Sequence, residues 1–117
     1  MKHFRNKKPY TRYYRLPDQL VDTWPNLLAQ VDCRIVDWNS DLSSRESKDS
    51  DSINLQVRRD DLEIAVTSAW CPVNQCHCIW MMNRPDVRDT SLAKEVEGVL
   101  RAAGCEEIVE ARAGEDA

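Results

Sequence analysis

Apolar and polar residues alternate in three consecutive runs in the middle of the chain, at 53–58, 62–70 and 76–82. A period of two is typical of a β-strand that buries one face, and short polar segments between such runs are typical of turns. The pattern therefore predicts an antiparallel meander of three strands.

The register of this meander follows from keeping its apolar residues on one face. In the first hairpin this condition pairs Val57 with Leu62. In the second it pairs Trp70 with Cys76 across a five-residue loop at 71–75. We expect a one-residue slip to expose the apolar set, because neighbouring side chains on a strand point to opposite faces.

Two other segments repeat apolar residues at i, i+4, i+7, i+8 and i+11, as in an amphipathic helix. The first begins near Leu16-Pro17-Asp18 and contains Pro25, which disfavours the helical state of the residue before it, so we expect a kink or two short helices. The second has Asp89 or Thr90 as its N-cap and Gly104 in the C′ position. The two stripes are Leu20, Trp24, Leu27, Leu28 and Val31, and Leu92, Val96, Val99, Leu100 and Ala103.

Further strands are predicted at 10–16, as an edge strand, at 33–38, and within 105–113. The order β-α-β, loop, β-β-β, α-β predicts an α+β two-layer sandwich with a mostly antiparallel sheet and two helices on one face. We expect a ferredoxin-like arrangement with an extra hairpin.

The predicted organisation is a basic N-terminal arm (1–9), a single α+β domain (10–113) and a tail (114–117). Residues 39–52 contain six serines and one apolar residue. Such a segment buries too little apolar surface to fold by itself, so we expect a mobile loop within the domain.

Charge is distributed unevenly along the 117 residues, which carry 16 Lys+Arg against 20 Asp+Glu. The first 16 residues have six Lys and Arg and no acid, whereas the remainder has ten basic and 20 acidic residues. A basic segment interleaved with aromatic rings can neutralise a phosphate backbone and stack on bases. One alternative function is therefore a nucleic-acid-binding accessory protein. Its candidate residues are Lys7, Lys8, Arg12, Tyr13, Tyr14 and Arg15.

Several function classes find no support in the composition. The three glycines all lie in the last 20 residues, so no glycine-rich phosphate loop can follow an early strand. With two histidines and no Gly-x-Ser-x-Gly segment, serine hydrolase chemistry is not expected.

The longest apolar run is only five residues, at 78–82, and predicts no membrane span. The N-terminus lacks the apolar stretch of a secretory signal, and an odd count of five cysteines is typical of a reducing compartment, so a cytoplasmic location is expected.

The leading hypothesis comes from the second face of the predicted meander, which is neither cleanly polar nor cleanly apolar. A shallow strip of small residues beside apolar ones lets another surface approach closely. We therefore expect a small non-enzymatic protein-interaction or assembly module that docks on a larger partner, or on a second copy, through this face and the basic arm. The candidate partner-binding residues are Ala65, Thr67, Ala69, His77, Ile79 and Met81.

A cluster of cysteines at 71–78 gives the second alternative, a zinc- or thiol-dependent protein. Thiolates are ligands that zinc prefers, and the candidate metal ligands are Cys71, Cys76 and Cys78. The predicted strand, however, turns Cys76 and Cys78 toward the core and His77 away from them. We therefore favour buried structural thiols and expect no cofactor, with zinc as the alternative.

Overall fold

A computed structural model of the chain describes residues 9–40 and 52–108. Within these ranges six strands form one sheet in the order β2-β3-β4-β5-β1-β6, and every neighbouring pair is antiparallel. The strands are β1 (Thr11–Arg15), β2 (Arg34–Ser40), β3 (Ile53–Arg59), β4 (Leu62–Cys71), β5 (Cys76–Asn83) and β6 (Glu106–Glu107). The predicted α+β class with an antiparallel sheet is confirmed.

Parts of the predicted organisation lie outside the described residues. These are residues 1–8 of the arm, residues 41–51 of the predicted loop, and 109–117, which include the predicted tail. Residues 39 and 40, which we assigned to the loop, belong to β2. The division into arm, domain and tail therefore stays a prediction.

The helical layer consists of two short 3₁₀ helices, Asp18–Leu20 and Trp24–Gln30, and one α-helix, α1 (Ser91–Ala102). The prediction of two short helices in the first segment is confirmed, but the break precedes Trp24, because Pro25 occupies the first turn, where a proline is tolerated. The buried Trp24 ring is fixed by its indole N–H, which donates to Ser68 Oγ at 2.8 Å.

The predicted ends of α1 agree closely with the structure. Thr90 occupies the N-cap position, while the carboxylate of Asp89 accepts the hydrogen bond from the Ser91 backbone N–H at 2.9 Å. This backbone hydrogen bond lowers the pKa of Asp89. After the helix, Gly104 has a φ of +106°, a conformation that glycine adopts without strain.

The hydrophobic core lies between the helices and one face of the sheet. It joins the apolar stripe of α1 to alternate residues of β3, β4 and β5. The sheet residues in this core are Tyr14 of β1 together with Ile53, Leu55, Val57, Ile64, Val66, Ile79 and Met81. The molecule is therefore built of two layers, and the described helices cover one face of the sheet.

Strand β1 is an inner strand, so the prediction that it forms an edge is wrong. It pairs with β5 on one side and with β6 on the other. The edges are β2 and the short β6. Local sequence could not indicate this, because the pairing joins residues that are far apart along the chain.

The first hairpin differs from the predicted register by two residues. Val57 lies opposite Ile64 instead of Leu62, and the turn is the two-residue segment Asp60-Asp61, with Asp60 at a φ of +55°. Because the shift is even, every side chain keeps the face that we expected for it.

The second hairpin differs by an odd shift, and this reverses the faces of β5. Cys71 pairs with Cys76 across a four-residue turn, so the predicted pairing of Trp70 with Cys76 is wrong. Ile79 and Met81 are fully buried in the core, which corrects our expectation that they lie on the open face. The apolar pattern could not determine which face of β5 is buried, because each of its two alternating sets contains large apolar residues, and the number of residues in the turn decides between them.

Candidate functional site

The face of the sheet that points away from the helices is the candidate site, and we call it the open face. None of the described helices packs on it, and most of its side chains keep partial exposure. Its residues are Thr11, Tyr13 and Arg15 of β1, Asn54, Gln56 and Arg58 of β3, Glu63, Ala65, Thr67, Ala69 and Cys71 of β4, and Cys76, Cys78, Trp80 and Met82 of β5.

Large side chains from two adjacent strands form the centre of the open face. Tyr13 lies directly opposite Trp80, and their ring centroids are 5.9 Å apart with 29° between the ring planes. Met82 follows on the same face of β5 and is 38% exposed. We call Tyr13, Trp80 and Met82 the aromatic stripe.

Small side chains of β4 lie along one flank of this stripe. Ala65 is opposite Met82, and Thr67 is opposite Trp80. The surface is therefore lower along β4 than along the aromatic stripe.

The charged groups of the open face lie at its ends. Arg58 donates to Glu63 at 3.3 Å, and Glu63 also lies 3.7 Å from Arg84. At the other end, Arg15 is exposed and opposite Glu106 of β6. The centre of the open face can thus be desolvated without burying a charge, which is the costly step in forming an interface.

The structure divides the predicted partner-binding residues into two groups. Ala65, Thr67 and Ala69 lie on the open face, as expected. His77 lies on the opposite face, where its ring meets Trp70 edge-on with 5.2 Å between the centroids. Ile79 and Met81 are core residues, and the aromatic stripe takes the place that we assigned to them.

The predicted nucleic-acid-binding residues are divided by the alternation of β1. Tyr13 and Arg15 are on the open face, whereas Arg12 and Tyr14 point to the helical layer. Lys7 and Lys8 lie outside the described residues. The four described members of the set therefore do not form one continuous surface, and among these four Tyr13 and Arg15 share the open face.

Tyr14 belongs to a buried hydrogen-bond network at the helical layer. Its hydroxyl donates to Glu97 Oε2 at 2.7 Å, and the Tyr10 hydroxyl donates to Glu97 Oε1 at 2.9 Å. Burial, followed by this hydrogen bond, raises the pKa of Tyr14. The Arg12 guanidinium lies 4.0 Å from the centroid of the Tyr10 ring and 3.8 Å from Glu97. These contacts link α1 to β1, and they leave Tyr14 fully buried and inaccessible to a partner.

The three cysteines of the 71–78 cluster meet at one end of the open face. Cys71 is half-buried, whereas Cys76 and Cys78 are buried, with their Sγ atoms 4.0 Å apart. The expectation that Cys76 and Cys78 share the helical side is wrong, because the odd register shift reverses β5. In the part of the chain that the structure describes, no group of three or more His, Cys, Asp or Glu is arranged to hold a metal ion. The zinc alternative therefore gains no support from the geometry.

A surface hollow of about 400 Å³ lies near the β3–β4 turn. Four of the charged groups that line it pair with one another: Arg84 lies 3.1 Å from Asp86 and 3.7 Å from Glu63, and Arg58 donates to Glu63 at 3.3 Å. These ion pairs make the four groups less available to a ligand.

No described helix is both long enough and apolar enough to span a bilayer.

Comparison of the chain with models of protein families, with curated proteins and with solved structures gave no match. The open face is therefore the basis for the functional proposal.

Proposed function

We propose that this protein is a non-enzymatic protein-interaction module that docks on a larger partner through the open face and the basic arm. The observation that supports this most directly is the aromatic stripe, which the described helices leave uncovered. Tyr, Trp and Met are enriched in the cores of protein interfaces, and charged residues are depleted there. Burial of this apolar surface favours association, and the part that exceeds the entropic cost of bringing two molecules together appears as affinity.

The charge of the chain indicates the chemistry of the partner surface. The arm leads into β1 at Thr11, which lies opposite Met82 at one end of the aromatic stripe. The arm (1–9) has four Lys and Arg and no acid, so this end favours acidic groups on the partner. The proposed partner surface is a protein with an apolar centre and an acidic rim.

Site-specific photo-crosslinking tests the proposal. A benzophenone amino acid is placed at Met82 on the open face and, as the matched control, at Lys94, which is exposed on α1. In native extract we expect a discrete crosslinked protein from position 82 and none from position 94. In the variant that carries the benzophenone at position 82, the additional substitution Trp80→Ser is expected to abolish the crosslinked product.

The other possible results of this experiment also test the proposal. Crosslinking to a second copy of the chain shows that the open face mediates self-assembly. Equal products from both positions, or none from position 82, contradict docking through the open face.

Single-stranded nucleic acid is the second candidate partner, and the stacked pair of Tyr13 and Trp80 beside the exposed Arg15 is the observation that favours it. Aromatic side chains on a sheet stack on bases, and nearby cations neutralise phosphates. Fluorescence anisotropy with a labelled single-stranded oligonucleotide tests this candidate. We expect salt-dependent binding that Tyr13→Ser weakens and that Lys94→Ala leaves unchanged. Binding independent of salt, or equal in both variants, eliminates this candidate.

We also propose the ferredoxin-like arrangement with an extra hairpin as the finer description of the fold. The strand order supports it: with β3 and β4 taken as the inserted hairpin, the remaining order is β2-β5-β1-β6. The chain order of the elements, β-helix-β, β-α-β, fits the same pattern. This architecture carries no function by itself, so the functional proposal depends on the open face alone.

A further inference from the structure

Cys71 and Cys76 are direct partners across the β4–β5 ladder, and they close the four-residue turn 72–75. Side chains directly opposite one another on antiparallel strands have Cβ atoms about 4.5–5.5 Å apart. The Cβ atoms of a disulfide are separated by about 3.8 Å. Even-numbered residues along β5 hydrogen-bond to β4, as the bond from the Arg84 N–H to the Glu63 carbonyl shows, so Cys71 and Cys76 form a hydrogen-bonded pair with Cα atoms about 5.5 Å apart. A disulfide spans this Cα separation, but its formation requires the Cβ atoms to move closer by about 1.5 Å at the strand ends beside the turn.

Cys78 is less suited to a bridge with either thiol. Its Sγ lies 4.0 Å from that of Cys76, but residues two apart on one strand have Cα atoms about 6.6 Å apart and parallel Cβ vectors. The Cys78 thiol also interacts with that of Cys71, but the two residues are on the diagonal of the ladder, where Cβ atoms lie farther apart than in a direct pair. Burial, followed by the neighbouring thiols, raises the pKa of Cys78, so it remains a protonated thiol at neutral pH.

The exposure of the thiols sets the order of reaction. Cys71 is half-buried at the end of its strand, and its thiol contacts Asn74 Oδ1 at 3.0 Å in the exposed turn. Cys76 is only 6% exposed. A reagent from solvent therefore meets Cys71 first and Cys76 afterwards.

We propose that Cys71 and Cys76 form a reversible thiol–disulfide site that exchanges with small-molecule disulfides such as oxidised glutathione. The Cys71 thiolate attacks one sulfur of glutathione disulfide, forms a mixed disulfide and releases one glutathione thiolate, which takes up a proton. The Cys76 thiolate then attacks the Cys71 sulfur and releases the second glutathione. The protein dithiol is oxidised by two electrons, and glutathione disulfide is reduced to two glutathione molecules.

This site is independent of the proposed docking function, although it lies at one end of the open face. Cys78 is on the same face between the pair and Trp80. Oxidation joins the ends of β4 and β5 and leaves the Cys78 thiol free.

Mass spectrometry on the folded full chain tests the proposal. The reduced protein is equilibrated with glutathione redox buffers without oxygen, free thiols are alkylated, and the peptide that contains all three cysteines is analysed. We expect this peptide to lose two hydrogens and to carry a single alkyl group, on Cys78. Added reduced glutathione is expected to reverse the change, with a dependence on the square of its concentration.

Three substitutions identify the reacting atoms. In Cys76→Ser the mixed disulfide cannot resolve, so we expect one glutathionyl group to remain on Cys71. In Cys78→Ser the internal disulfide is expected to form as in the parent chain. Cys105→Ser is the control for loss of a buried thiol elsewhere. Each variant is first checked for a cooperative unfolding transition.

Three results overturn the proposal. The first is a parent chain that stays fully reduced in the oxidising buffers. The second is internal disulfide formation that persists in Cys76→Ser, which assigns the bridge to Cys78. The third is oxidation that occurs only when urea unfolds the chain. Because the first and third results are read on the parent chain, the test does not depend on the folding of a variant.

Discussion

Tyr14→Phe tests the buried network that fixes β1 against α1 and thereby directs Tyr13 to the open face. The substitution removes one hydroxyl and keeps the ring. In the parent chain this hydroxyl donates to Glu97 Oε2 at 2.7 Å, and both residues are buried. In the variant, the Glu97 carboxylate loses one donor in a position where water cannot replace it.

The expected cost follows from the partners that Glu97 retains. A hydrogen bond to a charged group contributes about 1.5–3 kcal/mol to stability. When one partner is removed, most of the lost free energy is the cost of leaving the other partner buried without a hydrogen bond. Glu97 keeps the Tyr10 hydroxyl at 2.9 Å and the Arg12 guanidinium at 3.8 Å, so we place the loss near the lower part of that range, at about 2 kcal/mol. For the half-buried Tyr10, Tyr10→Phe is expected to cost about 1 kcal/mol or less, because water can reach its site.

Urea unfolding monitored by tryptophan fluorescence measures both free energies. The slope with urea is expected to be unchanged, because the same surface is exposed on unfolding. In a Glu97→Gln background the cost of Tyr14→Phe is expected to fall to about 1 kcal/mol, since the acceptor is neutral. If Tyr14→Phe costs no more than Tyr10→Phe, the network does not stabilise β1 as described.

Three further predictions concern the core, the pH dependence and the thiol pair. In urea unfolding, Met81→Ala is expected to lower the free energy of unfolding by about 3 kcal/mol, and Met82→Ala by less than about 1 kcal/mol, because only Met81 of these two residues is in the core. Equal losses contradict the register of β5. Burial raises the pKa of Cys105 from 9.0 to about 11, so its contribution to stability is complete below pH 9 and is lost as the pH rises to 11. Replacing Cys105 by Ala should reduce the slope of stability in this interval, by up to about 1.4 kcal/mol per pH unit, and an unchanged slope contradicts the assignment. The Cys71–Cys76 disulfide is expected to raise the free energy of unfolding by about 2 kcal/mol, and a decrease on oxidation indicates a strained bridge.

The elements that depend on local patterns were predicted well. The apolar stripe of α1 and the following Gly104 give a helix with the expected ends, because amphipathic period and glycine at C′ are properties of neighbouring residues. The same holds for β3 and β4, in which large apolar residues alternate with polar or small ones. Their two-residue register error changed no side chain from one face to the other.

The elements that depend on distant pairing were predicted poorly. On β5, Trp80 and Met81 are consecutive apolar residues on opposite faces, and only the length of the turn before Cys76 decides which one is buried. Tyr13 joins Trp80 because β1 inserts between β5 and β6, which no period along the chain indicates. The predicted faces were therefore right for β4 and wrong for β5, and the prediction did not include the aromatic stripe that β1 and β5 form together.

Accessibility of the two internal methionine methyl groups tests the open face most directly. Of the three methionines, Met81 and Met82 are adjacent and point to opposite faces of β5. In the full chain labelled with ¹³C at the methionine methyl groups, a soluble paramagnetic agent broadens the NMR signals of groups in contact with solvent. We expect strong broadening at Met82 and protection at Met81, with Met82→Leu assigning the signals. Protection of Met82, or broadening of Met81 in its place, contradicts the account of this face as an uncovered docking surface.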